Sequence, residues 1–194
     1  SVFELFVRML RKNIVDKHMG KQFIFILGNH ELWDGDPLGI KPARSVDEII
    51  DDYYEVMPYR VTMLENELYV LHKGVEPIIL DEAELLTMSS EELSQICLES
   101  TFLLLGGIGF SGLNPRYNAD MGLYRSTVSM EEDKSRSLRF RAVYEKVLQC
   151  AKDLQVIILT HTQMANWSDT QYNPKWIYVS GHTHQNILLR QPDG

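Results

Sequence analysis

The chain has 194 residues, 44% of them hydrophobic, with 19 Lys and Arg against 27 Asp and Glu for a net charge of -8. That composition is globular rather than disordered, and one domain spanning 1–194 is the expectation at this length. It excludes a bilayer-spanning run of ~20 apolar residues, offers no electrostatic footprint for nucleic acid or an anionic membrane, and with only Cys97 and Cys150 points to a reduced, cytoplasmic chain.

The first predicted element is a helix, because Val2, Phe3, Leu5, Phe6, Met9, Leu10 and Ile14 recur on one face. Residues 23–27 form a continuous apolar run, read as a strand buried on both faces. A loop with Gly35, Pro37, Gly39 and Pro42 follows, with Asp34 and Asp36 expected as solvated carboxylates. Ser45 with Glu48 predicts a capping box and a helix that Pro58 stops. Residues 60–64 and 68–72 are expected to pair as a hairpin across Glu65-Asn66-Glu67. Ser89 with Glu92 opens another short helix, and Ser129 with Glu132 a longer one that carries Phe140, Val143, Tyr144, Val147, Leu148 and Ala151. Residues 102–105, 156–159 and 176–179 read as further buried strands, and 187–189 as one more. Strands alternating with helices give the α/β class, with a sheet covered on both faces.

Four of the six histidines, His30, His161, His182 and His184, fall at the C-terminal ends of these strands. In open α/β sheets that edge binds ligands, and imidazole is the commonest metal ligand. Asn29 adds a neutral amide oxygen beside His30. His182 and His184 lie two apart, so in extended backbone they project to the same side. The loop carrying Arg116 and Asn118, and after it Arg125, either lines a substrate mouth, where guanidinium forks match phosphate oxygens, or is an ordinary surface loop.

Gly28-Asn29-His30-Glu31 after a buried strand, His161 at the end of a later one, and Gly181-His182-Thr183-His184 after another resemble the calcineurin-like metallophosphoesterase superfamily. The resemblance covers nearly the whole chain. It implies a sandwich of two β-sheets flanked by helices. It also implies two metal ions of the Mn, Fe, Zn or Ni class. Asn29, His161 and His182 would hold one ion and His184 the second, while His30 would contact the phosphate and protonate the leaving group. Glu31 would hold the turn. The implied activity is hydrolysis of a phosphate mono- or diester, by in-line attack of a hydroxide activated between two ions roughly 3.5–4 Å apart.

The family's Asp-x-His and Gly-Asp-x-x-Asp motifs, which supply the remaining ligands, are expected before Gly28, and neither is present. Asp16-Lys17-His18 mimics the first but sits at a helix end rather than a strand end. The chain is therefore expected to be a domain truncated at both ends, lacking the first βαβ segment. The alternative is a non-catalytic metal-binding or interaction module built on the same fold.

Overall fold

The computed structural model describes residues 2–18, 20–34 and 44–183. His184, the strand expected at 187–189, and the loop with Gly35, Asp36, Pro37, Gly39 and Pro42 lie outside the described residues. The architecture is α/β with a two-stranded and a five-stranded sheet. Helix α1 (Val2–Leu10) runs into a π turn at Arg11–Val15. Strand β1 (Phe23–Phe25) precedes α2 (Val46–Val56), and β2 (Val61–Met63), β3 (Glu67–Leu71) and β4 (Ile78–Leu80) follow. Then come α3 (Glu82–Thr87), α4 (Ser90–Glu99), β5 (Phe102–Gly107), α5 (Met130–Ala151), β6 (Ile157–Thr160) and β7 (Ile177–Ser180). No helix among the described residues is long and apolar enough to cross a membrane.

Local signals set the helix starts. Ser45 accepts from the Glu48 N–H while Glu48 reaches back to the Ser45 N–H, completing the capping box. Ser89 and Ser129 cap α4 and α5 by the first half of that arrangement, their hydroxyls accepting from the N–H groups of Glu92 and Glu132. An unforeseen capping box, Asp81 with Glu84, opens α3.

Pairing departs from the expectation at one place. Strands β2 and β3 do not form a hairpin: β2 pairs in parallel with β1, while β3 lies antiparallel between β4 and β5. Asn66 takes a left-handed φ of 60°, and the chain passes from one sheet to the other. The Leu64 N–H donates to the Phe25 carbonyl at 2.9 Å, tying that crossing to the smaller sheet. The five-stranded order is β4-β3-β5-β6-β7, with β5, β6 and β7 parallel.

The period of two divides the main sheet's faces. Leu68, Val70, Leu103, Leu105 and Ile158 join the main core against α3, α4 and α5. Tyr69, Phe102, Leu104, Ile157 and Leu159 turn the other way, toward Ile24 of the small sheet and Ile26 and Leu64 just past its strand ends. The two sheets therefore face one another. Trp167, fully buried, anchors the helical side through edge contacts with Phe140 and Tyr144 at 4.7 and 5.2 Å; such pairs add about 0.5–1.5 kcal/mol each beyond area burial.

Two predicted burials fail. Strand β1 is only half-buried. Strand β7 is the outer strand among the described residues, with Ile177 and Val179 exposed. On α1, Leu5 and Met9 also face solvent. A run of apolar residues specifies a strand but not how many of its faces are covered.

Candidate metal and phosphate site

Parallel pairing brings the ends of β6 and β7 side by side, with Thr160 opposite Ser180. His161 and His182 follow those ends. The end of β1 approaches from the other sheet and delivers Asn29. The three side chains meet: His161 Nε2 lies 2.7 Å from Asn29 Oδ1 and 3.2 Å from His182 Nδ1. Because an amide oxygen only accepts, His161 is the donor in the first contact.

The surroundings fix each member. The His161 imidazole lies between two glycine backbones. A Cβ on Gly28 would sit 2.8 Å from its Nδ1, and one on Gly181 3.5 Å from the same atom. Any side chain at Gly28 would push the ring aside. The Gly28 N–H donates to Glu31 Oε2 at 2.9 Å, so Glu31 closes the turn. The His161 backbone N–H donates to the Ile108 carbonyl at 3.2 Å. Asn29 is buried, and its Nδ2 donates to the Leu123 carbonyl at 2.9 Å, which leaves Oδ1 aimed at the histidines.

His182 departs from its expected geometry. Its φ is 61°, so the backbone there bends rather than running on extended. The same-side projection of His182 and His184, which needs extended backbone, is not met at His182. A non-glycine residue held left-handed is a local strain that the packing sustains.

His30 is exposed and its ring stacks on Trp33, with centroids 3.8 Å apart and planes 26° apart. The Trp33 Nε1 donates to the same Leu123 carbonyl that holds Asn29, at 3.0 Å. Leu123 is a site component with no signal in the sequence, and Trp33, which the sequence leaves between pocket wall and packing, holds its place here through that carbonyl. A backbone carbonyl leaves no mark in sequence, while Trp33 stands three residues from His30, close enough in the chain to be weighed with it.

Arg116 and Asn118 are not brought to this cluster by any hydrogen bond. Arg116 is exposed, and its backbone N–H donates to Asn114 Oδ1. Asn118 is buried, and its amide donates to the Asn114 carbonyl. The loop is held from beneath by α5: Asp133, fully buried, accepts from the Ser111 and Ala119 N–H groups at 2.8 and 2.9 Å. Burial raises the Asp133 carboxyl above its ordinary range, against these hydrogen bonds. Asp34 also departs from expectation: it is paired with Arg44 at 2.9 Å rather than simply solvated.

The donor set fits one borderline cation. Ligands 2.0–2.2 Å from an ion stand roughly 2.8–3.6 Å apart, so the 3.2 Å pair already has ligand spacing and the 2.7 Å hydrogen-bonded pair would part slightly to admit an ion. Among the described residues no three His, Cys, Asp or Glu side chains converge on a metal position; this cluster is two imidazoles and an amide. Asp16, the carboxylate of the motif mimic, caps the π turn and faces Arg11 at 4.0 Å. Comparison with protein-family models, with curated proteins and with solved structures returns no match.

Proposed function

We propose that the chain carries the histidine half of a metal-dependent phosphoesterase site, on a metallophosphoesterase-type sandwich, and acts on a phosphate mono- or diester. The observation that carries this reading is the convergence of Asn29 Oδ1, His161 Nε2 and His182 Nδ1 within hydrogen-bond distance, from strands distant in sequence and on two sheets. His161 Nε2 sits 2.7 Å from Asn29 Oδ1 and 3.2 Å from His182 Nδ1, and these three ligand-type atoms, with the ring packed on Gly28, suit a shared cation.

Asn29, His161 and His182 would hold one ion, and His184 is assigned to the second, both of the Mn, Fe, Zn or Ni class. A bound cation supplies Lewis-acid polarisation of the phosphoryl group and a lowered pKa for water. The chain's own residues do the rest. Gly28 and the Ile108 carbonyl keep the His161 ring facing Asn29. The Leu123 carbonyl prevents the Asn29 amide from turning its nitrogen inward. His30, its ring stacked on Trp33, would donate a proton to the leaving oxygen.

The test is metal analysis with a panel of phosphomonoesters and diesters. This chain supplies three ligands for one ion, so at most one weakly held ion is expected, with little hydrolysis. A chain that also carries Asp-x-His and Gly-Asp-x-x-Asp should hydrolyse the panel. Two tightly bound ions on these 194 residues would overturn the ligand assignment. Absence of metal-dependent hydrolysis in the chain with both motifs would overturn the activity.

A further inference from the structure

The loop bearing Leu123 delivers a second group to the same rim. Tyr124 is fully buried, stacked near Phe110 and bonded through its hydroxyl to Ser111 Oγ at 2.9 Å. That anchor fixes its two neighbours. Leu123 turns its carbonyl to Asn29 and Trp33. Arg125, held at a left-handed φ of 50°, lays its guanidinium on the Trp33 ring, with Cζ 3.9 Å from the centroid.

His30 and Arg125 each approach the same indole at stacking distance. Two planar groups that close cannot share one face without overlap, so they occupy opposite faces. Trp33 is thus a spacer, with an imidazole on one side and a cation on the other. The guanidinium is exposed and, among the described residues, makes no hydrogen bond or ion pair. Arg44, Arg136, Arg139 and Arg141, by contrast, are all satisfied by carboxylates. In a chain of net charge -8, an arginine with no ion pair among the described residues, on a left-handed backbone beside His30, is arranged for an anion that arrives from outside.

We infer that Arg125, supported on Trp33, is a binding group for a second anionic substituent on the alcohol side of the ester, so that the preferred substrates are phosphate esters whose leaving alcohol carries a carboxylate or another phosphate. This rests on the phosphoesterase reading for its assignment of the leaving side. The opposite faces of the indole set the spacing, two stacking distances between the proton donor and the anion-binding cation. Esters with an uncharged alcohol would meet the same chemistry without this contact.

The test uses ω-carboxyalkyl phosphonates of increasing length and their uncharged alkyl counterparts, titrated calorimetrically into the zinc-loaded chain. The matching phosphate esters are assayed for hydrolysis in parallel. The carboxylate-bearing members should bind roughly tenfold more tightly at one chain length, as expected for a charge-assisted hydrogen bond. Arg125→Gln should remove that preference, Arg125→Lys should restore part of it, and Arg141→Gln, a distant surface change, should leave it intact. Discrimination in binding would uphold Arg125 even with the little hydrolysis expected of this chain; the same discrimination with no hydrolysis by a chain that also carries Asp-x-His and Gly-Asp-x-x-Asp would uphold Arg125 and count against the phosphoesterase reading. Hydrolysis without any carboxylate preference, a preference that survives Arg125→Gln, or no binding of the carboxylate members would overturn the inference. An unchanged melting temperature for Arg125→Gln separates lost recognition from lost folding.

Discussion

The histidine rim and an acidic cavity near it both collect polar side chains, and they dispose of them in opposite ways. The cavity, of about 340 Å³, is lined by Asp47, Glu65, Glu67, Glu82, Arg136 and Arg139, among others. There the charges answer one another. Arg139 donates to Glu82 at 2.7 Å, Arg136 to Asp47 at 2.9 Å, and Tyr54 to Glu67 at 2.9 Å. At the rim the contacts join uncharged-type groups instead: His161 Nε2 lies 2.7 Å from Asn29 Oδ1 and 3.2 Å from His182 Nδ1. Opposite charges that pair offset one another, whereas imidazole and amide groups gathered at strand ends are the side-chain types that take up a cation. Ile108 joins the two: its N–H donates to Glu65 at 2.9 Å, while its carbonyl accepts from the His161 N–H.

The largest expected effect lies at the rim. His182→Ala should weaken zinc binding by roughly 100-fold or more, since loss of an outer partner alone costs 10–100-fold, while His30→Ala should leave zinc content largely intact. Zinc titration of both variants decides it. If His30→Ala empties the site and His182→Ala does not, the roles are reversed.

Next is the pH response of the cavity. Burial pushes the Glu65 carboxyl up to about 7, against the Ile108 N–H and Arg136, which favour its charged form; Glu67, Glu82, Asp47, Asp81 and Arg139 also face the cavity. The folded state therefore holds this proton more tightly than the unfolded chain does. Its stabilising contribution is complete below about 4.5 and is lost as pH rises through 7. Glu65→Gln keeps an acceptor for Ile108 and cannot ionise, so it should flatten the fall in melting temperature between pH 5 and 8 and gain about 3 kcal/mol over the parent at the upper end. Glu67 and Asp133, both raised by burial, leave a residual slope of the same sign. A variant with the parent's slope would show that Glu65 is not the titrating group.

Gly28→Ala tests the packing behind the rim. Its Cβ would press on His161 Nδ1 at 2.8 Å and Glu31 Oε2 at 3.0 Å, which should cost about 1.5 kcal/mol in denaturant unfolding and weaken zinc binding as well. Full retention of both would mean that the turn has room to yield. The smallest effect belongs to a pair that completes itself at the surface. Arg141 bridges Glu145 and Asp169 on the exposed side of α5, and Arg141→Ala should change stability by about 0.5 kcal/mol or less, measurable by the same unfolding curves.

The sequence determined what local chemistry controls. Ser45, Ser89 and Ser129 start helices because a hydroxyl three residues before a glutamate satisfies free N–H groups wherever the chain lies. The apolar runs at 102–105 and 156–159 became β5 and β6 because no other short element buries both faces so readily. The residues Asn29, His161 and His182 were legible as ligand types at strand ends. Pairing was not legible, since the link at Glu65-Asn66-Glu67 fits a hairpin locally and is overruled by the hydrogen bonds of β2 to β1 in another sheet. Nor was the setting of the rim. The Leu123 carbonyl that orients Asn29, the indole that separates His30 from Arg125, and the contact that requires Gly28 all join residues far apart in the chain. Only the closing of two sheets on one another brings such groups within a few ångströms, and no spacing along the sequence records that distance.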